Sequence, residues 1–447
     1  MDKKNIIIIG GNAAGPAAAA KAKRVDPNAN VIMIEAGEYI STGTCELPYV
    51  LSSDINSYKD IIFYDKEKFK EEKGVEVLTN HFVESINKKE RVINILDKEN
   101  ARNISLPYDK LVLCTGSNSI KLEKYSQYKN VFSLKNISDL LSINNHISNN
   151  QVKKVLVVGA GYIGIEATEA LSKIGLNVTL LELEKLPFPQ SELEVQNLVF
   201  ECLKNNGISF YGNSKNVQII SDYDKIKSFK IDGRILEIDL VLTAIGVKPN
   251  IKLAKETGLD IGTTGAIKVN NKLRSCNSNI YAAGDNIEVI NRITNRSDYI
   301  PLATIAHQTG HIAGENAAGG NLFLQPVVKN IAVKIFDYYY TQVGLTQKEA
   351  VLNNINSDQV TAVRPNLVKV MPKSRNVFGK IVYNKNSKLI LGATFFGGHE
   401  VSGYANIIST FISNKIEVNK LSKINFNYTP PLSPMINLLS TLGRKIN

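Results

Sequence analysis

The sequence predicts an α/β fold: two Rossmann-like dinucleotide-binding units in one chain, followed by a smaller α+β domain. Three observations carry this. An apolar run, a glycine-rich turn and a helix-forming stretch open the chain, and the same order returns near residue 154. Each unit ends on a second apolar run closed by an acid, Glu35 in "NVIMIE" and Glu182 in "NVTLLE". From about Leu324 the glycine signals stop, and "FGKIVYNKNSKLILGATFF" alternates as an antiparallel hairpin does.

The elements follow in order. "NIIIIG" is a continuous apolar run, as expected of a parallel strand covered on both faces. "AAGPAAAAKAKRV" is rich in helix formers, and Pro16 is tolerated near a helix start. After "NVIMIE" come strands and turns that close on "YDKLVLCTGSNS". The second unit reads "KVLVVG", "AGYIGIEATEALSKIG", "NVTLLE", and is followed by "LEIDLVLTAIGVKPN" and "NIYAAGD". A helix, "GYANIISTFISNK", and the tail "NFNYTPPLSP" complete the C-terminal part. The expected division is a first dinucleotide domain from 1–113 and 260–323, a second from 114–259, and a third domain from 324–447.

Composition narrows the function. A chain of 447 residues divides into two or three domains. Hydrophobic residues at 43% and charged residues at 21% are ordinary for a globular protein and argue against disorder. The net charge of +11 is spread along the chain, which reads as a solvated basic surface, not a nucleic-acid tract. Four cysteines, Cys45, Cys114, Cys202 and Cys276, are too few for a disulfide framework. With no signal-peptide pattern and no apolar stretch long enough for a bilayer, a reducing cytoplasm is the expected location.

Gly159, Gly161 and Gly164 form GxGxxG directly after a strand, with Tyr162 and Ile163 in the variable positions. Glycines let backbone approach a pyrophosphate, the helix N-terminus stabilises its charge, and Glu182 is spaced to meet a ribose. A carboxylate accepts from ribose hydroxyls and repels a 2′-phosphate, so Glu182 and Glu184 favour NADH over NADPH, with Lys185 close enough to blur the preference. The first loop holds Gly10, Gly11, Ala14 and Gly15, with Asn12 where the middle glycine would stand; Glu35 is placed for a second ribose. Two dinucleotide sites in one chain suggest a relay, one cofactor held tightly (FAD) and one exchanging.

Taken together, "GGNAAG" with Glu35, "LVLCTGS", "GAGYIG" with Glu182, "TAIGVKPN" and "NIYAAGD" resemble the pyridine nucleotide–disulfide oxidoreductase family. The resemblance spans about residues 5–320 and implies that Thr115, Gly116, Gly246, Gly284 and Asp285 belong to the cofactor sites, Asp285 toward the flavin's ribityl–pyrophosphate region. The C-terminal part resembles the family's dimerisation domain and implies a homodimer. "TCELPY" carries a single cysteine, with Val50 where a second would stand in CxxxxC members. It resembles the branch of coenzyme A-disulfide reductases, persulfide or polysulfide reductases and NADH oxidases. That resemblance implies electron flow from NADH through FAD and Cys45 to a small disulfide, persulfide or polysulfide, with coenzyme A as a carrier. The alternatives are an NADH oxidase or peroxidase cycling a Cys45 sulfenic acid, and a flavin-bound redox sensor.

Cys45 is expected at a helix N-terminus, which lowers a thiol pKa. The resemblance makes Tyr428 a proton donor to the partner subunit's thiol, and makes Lys21, Lys23 and Arg24 the cations that meet coenzyme A phosphates. Relatives of that kind carry another tyrosine in a "YYPG"-like segment, where this chain has "LVKVMPKS". Cys114 reads as core packing, Cys202 lies in a predicted helix and Cys276 in a loop. His307 and His311 are spaced i, i+4 with no third ligand in view, so no metal is expected.

Overall fold

The structure is a computed structural model and describes residues 3–215, 217–231 and 233–446. The first sheet is parallel throughout, in the order Ile280–Ala282, Lys110–Leu113, Asn5–Ile9, Asn30–Ile34, Glu76–Leu78. Ile6, Ile7 and Ile8 are 0% exposed, which is why this strand reads as an unbroken apolar run. Helices Ala14–Val25 and Ala303–Ala318 pack together against it. Its edge strand, Ile280–Ala282, comes from beyond the whole second unit.

The second sheet is also parallel, in the order Ser209–Tyr211, Asn177–Leu181, Lys154–Val158, Leu240–Thr243, Val131–Phe132. The chain enters and leaves this unit through one antiparallel pair, Ser117–Ser119 with Val247–Pro249. A three-stranded antiparallel sheet accompanies each unit, His81–Asn87, Val92–Asp97 and Arg102–Pro107 for the first, Val217–Asp222, Lys225–Ile231 and Arg234–Glu237 for the second.

The C-terminal sheet is antiparallel, in the order Asn330–Ile335, Tyr338–Gly344, Ile390–Gly397, Asn376–Asn384, Ser357–Pro365. The expected hairpin is present, but every residue of Ile390–Gly397 is buried where alternation predicts one open face. Two neighbours explain this. Helix Val401–Ser413 covers one face, with Ile408 packing alongside Phe395. Phe378 and Phe396, on the other face, join the core of the second unit. That same core takes in Leu47 and Leu51 of the short helix Leu47–Leu51. Full burial of such a side chain contributes about 1.5–3 kcal/mol. The helix just after Cys45 is thereby tied to the second and third units.

Candidate active site

Both glycine loops form tight cradles at the C-terminal ends of their sheets. Gly10 has φ 114°, and a Cβ there would stand 2.1 Å from the Cys114 carbonyl oxygen. A Cβ on Gly164 would stand 1.8 Å from the Gly159 carbonyl oxygen. Each loop is closed by its acid. Glu35 Oε2 accepts from the Gly11 N–H at 2.6 Å, and Glu182 Oε2 from the Ala160 N–H at 2.7 Å. The other oxygens accept from Gly37 and Leu183 N–H groups, at 2.8 and 2.7 Å. Helices Ala14–Val25 and Tyr162–Lys173 start at these loops, so backbone N–H groups line both. Glycine-rich cradles at helix starts, each with a carboxylate at the next strand end, fit two dinucleotides.

Thr115, Gly116, Gly284 and Asp285 gather at the same edge as the first loop. The Thr115 hydroxyl donates to the Asn250 carbonyl at 2.7 Å and accepts from Asn286 Nδ2 at 3.0 Å. The Gly284 N–H donates to Thr309 Oγ1 at 3.0 Å. Asp285 Oδ2 accepts from Ser117 Oγ at 3.1 Å and lies 3.9 Å from Lys135 Nζ. Gly246 sits instead by the antiparallel connection, its carbonyl accepting from the Ile120 N–H at 2.9 Å. Tyr162 packs edge-on to Phe188 at 5.2 Å, while Ile163 follows it on the helix Tyr162–Lys173.

Cys45 lies in the 3₁₀ turn Thr44–Glu46, just ahead of Leu47–Leu51, and is exposed. Asn12 fixes the approach to it: its Oδ1 accepts from the Thr42 N–H at 2.8 Å and from the Thr42 hydroxyl at 2.9 Å. The residue that replaces a glycine in the first loop therefore fastens the cysteine segment to that loop.

The expected lowering of the thiol pKa is not what the surroundings produce. The flanking protein desolvates the sulfur and pushes its pKa up. Glu46, Glu166 and Asp285 add to this, and Lys135 alone opposes them among its main neighbours. The helix that follows is only five residues long, and burial is the largest cause of the upward shift. Glu166 was not singled out from the sequence, although it stands with Glu169 as one of two acids in the otherwise apolar stretch "GYIGIEATEAL". Burial, and then Glu169, raise its pKa to about 7. Lys135, Asn286 and Thr309 likewise escaped notice, as did the role of Asn12 in holding Thr42, because their partners are distant in sequence.

The other cysteines lie elsewhere. Cys114 and Cys202 are buried, and burial raises both thiols, Cys202 to about 11. Cys276 is exposed ahead of strand Ile280–Ala282, at the sheet edge opposite the glycine loop. The three cations are not a single free patch. Lys21 pairs with Glu315 at 2.7 Å, and Lys23 Nζ donates to the Ala29 carbonyl at 2.8 Å. Arg24 is exposed. Lys21, Arg24 and His307 still act together on His311, whose pKa burial and these charges depress. Tyr428 is 50% exposed, in a tail that also exposes Leu432, Met435 and Ile436.

Two dinucleotide cradles with a lone exposed thiol beside the first define a dinucleotide-dependent oxidoreductase. Residues 4–310 match the pyridine nucleotide-disulphide oxidoreductase family and residues 331–439 its dimerisation domain, and the chain belongs to this family. As a member it is an oxidoreductase that uses FAD and NAD(P)H. It is 32% identical to an NADH oxidase of Methanocaldococcus jannaschii, over 97% of this chain and 96% of that one. It is 28% identical to a coenzyme A disulfide reductase of Staphylococcus haemolyticus, over 99% of each. The solved NAD-dependent persulfide reductase from A. fulgidus superposes with a TM-score of 0.94 at 30% identity, covering 99% of this chain and 82% of that one. Among the described residues, no helix is long and apolar enough to cross a membrane.

Proposed function

We propose that this chain carries electrons from NADH through FAD to Cys45, and from Cys45 to a small disulfide, persulfide or polysulfide borne on coenzyme A. The observation that carries the reading is the single exposed Cys45 thiol beside the first glycine loop, with every other cysteine buried or at the far sheet edge. A lone thiol stores its oxidised state with a small-molecule sulfur, as a mixed disulfide or persulfide. For a disulfide, NADH and one proton yield NAD⁺ and two thiols. FAD, when bound, supplies the two-electron store between nicotinamide and sulfur. Gly10, Gly11, Ala14, Gly15, Glu35, Thr115, Gly116, Gly284 and Asp285 would hold it, in the unit formed by 1–113 and 260–323. Gly159, Gly161, Tyr162, Ile163, Gly164, Glu182 and Gly246 would hold the nicotinamide cofactor, in 114–259, and Glu182 favours NADH. Arg24, with Lys21 and His307 beside it, is the group most open to a coenzyme A phosphate. Two copies would pair through 324–447, with Tyr428 of one reaching the thiol of the other, in the cytoplasm. The likeness to an archaeal NADH oxidase favours a second reading, in which Cys45 cycles through a sulfenic acid.

Anaerobic NADH turnover against coenzyme A disulfide, coenzyme A persulfide, polysulfide, peroxide and, separately, oxygen tests this. Turnover of the sulfur substrates is expected. Rapid turnover of oxygen or peroxide alone would establish the second reading, and flavin reduction without turnover of any acceptor would make the chain a sensor.

A further inference from the structure

Behind the cysteine helix lies a line of charges that the relay does not use. Asp54 accepts from Lys173 Nζ at 2.8 Å, Lys173 stands 3.6 Å from Glu169, and Glu169 pairs with Lys334. Glu169 also accepts from the Phe336 N–H at 2.6 Å and is nearly buried. The line joins three distant parts of the chain: the loop after Leu47–Leu51, the helix Tyr162–Lys173 and the strand Asn330–Ile335. With Pro48, Tyr49, Ser52 and Ala170, these groups enclose a cleft of about 10 Å³, near the size of one water. Glu166 lines that cleft, one helical turn from Glu169 and Ala170. It makes no hydrogen bond or ion pair among the described residues, whereas each charge behind it is paired.

We propose that the ion chain Asp54–Lys173–Glu169–Lys334 is a positioning network that controls the charge on Glu166 and, through it, the reactivity of the Cys45 thiol.

The groups around Glu166 act in known directions. On its own helix, Glu169 disfavours a second negative charge, and from the third sheet Lys334 favours it. From the cysteine helix, Tyr49 contributes a phenol that burial, with Glu166 and Glu169, keeps protonated up to about 12. Tyr339 and Asp54 add to the pressure on Tyr49. When ionised, Glu166 raises the thiol, together with Glu46 and Asp285 and against Lys135. A network near electrical balance thus sits behind one carboxyl whose pKa is raised to about 7, and that carboxyl shares its cleft with Pro48 and Tyr49, three and four residues after the reacting cysteine. An ionised Glu166 lowers the fraction of thiolate, after burial and Glu46, and only thiolate is nucleophilic.

This inference rests on the reading of Cys45 as the reacting thiol. Alkylation reads the thiol itself, so failure of the coupling is separable from failure of disulfide turnover. The FAD-loaded protein with Cys276→Ser is alkylated with iodoacetamide from pH 5 to 10, leaving Cys45 as the exposed thiol. The parent profile is expected to show a shoulder near 7, where Glu166 ionises. Glu166→Gln is expected to abolish the shoulder and speed alkylation severalfold between pH 8 and 9. Lys334→Met is expected to move the shoulder to higher pH, Glu169→Gln to lower pH, and Lys334→Arg to restore the parent position. Loosened packing would not move it in opposite directions. A shoulder that persists in Glu166→Gln, or that stays in place in both Lys334→Met and Glu169→Gln, would overturn the proposal. Loss of disulfide turnover with the shoulders behaving as expected would leave the coupling standing and count against the substrate.

Discussion

At the scale of single residues, Cys45 and Glu166 make different predictions. Cys45→Ser is expected to leave NADH-dependent flavin bleaching intact, because no nicotinamide contact needs the sulfur. Disulfide or persulfide turnover is expected to fall at least about a thousandfold, as for removal of an essential nucleophile. Stopped-flow absorbance and steady-state turnover on one preparation check both halves; near-normal disulfide turnover in the variant would end the relay reading. Glu166 bears on stability as well. Its folded value of about 7 lies above the ordinary 4.5. A carboxyl that holds its proton more tightly when folded stabilises the fold below pH 4.5, and that contribution is lost as pH rises through 7. At about 1.4 kcal/mol per unit, on the order of 3 kcal/mol is at stake. Glu166→Gln should therefore raise the thermal midpoint at pH 8 and leave it nearly unchanged at pH 4.5. Equal shifts at both values would show that packing, not ionisation, controls the site. Glu35 and Glu182 were legible in the sequence because a local spacing fixes their place. Glu166 was not, since its neighbours come from residues near 49, 169 and 334, and no local pattern records that meeting.

At the scale of elements, the glycine loops and the segment before Cys45 can be tested separately. Gly164→Ala puts a methyl into the Gly159 carbonyl, 1.8 Å away before any shift. The helix Tyr162–Lys173 must then move off its strand. The NADH Michaelis constant is expected to rise at least tenfold, about 1.4 kcal/mol, while FAD remains bound. Flavin content and NADH titration measure the two separately, and loss of FAD alone would mean the loops serve the opposite cofactors. Asn12→Ala removes both hydrogen bonds to Thr42. Limited proteolysis between residues 41 and 46 should accelerate severalfold, and an unchanged cleavage rate would show that the backbone alone holds the turn. Both parallel units were legible because strand, glycine turn, helix and acid follow one another within about thirty residues. The C-terminal sheet was legible as a hairpin but not as a buried layer. What covers its second face is a core whose other members lie some two hundred residues earlier, Leu47 and Leu51 further still.

At the scale of the whole molecule, the C-terminal tail carries the clearest sign of unfinished burial. Met435 is 80% exposed and Leu432 62%, close to Tyr428 in the chain. Apolar groups so placed, within a segment that matches a dimerisation domain through residue 439, belong against a second copy. Met435→Glu should shift sedimentation velocity from dimer toward monomer at micromolar concentration. An unaltered dimer would place the interface elsewhere on the sheet.

The interleaved first sheet has a consequence for biosynthesis. Its edge strand, Ile280–Ala282, leaves the ribosome roughly 170 residues after its neighbour, Lys110–Leu113. At about 5–20 residues per second the delay is roughly 8–34 s. Every strand of the second sheet is made by Thr243, within that interval. The nascent chain therefore finishes the second sheet while the first still shows an open edge. Chains stalled near residue 270 should yield a protease-resistant core from the second unit and retain no flavin, whereas release of full-length chains should be followed by yellow colour. On this account a shortage of flavin in the cell is felt after translation has ended, by molecules already half built.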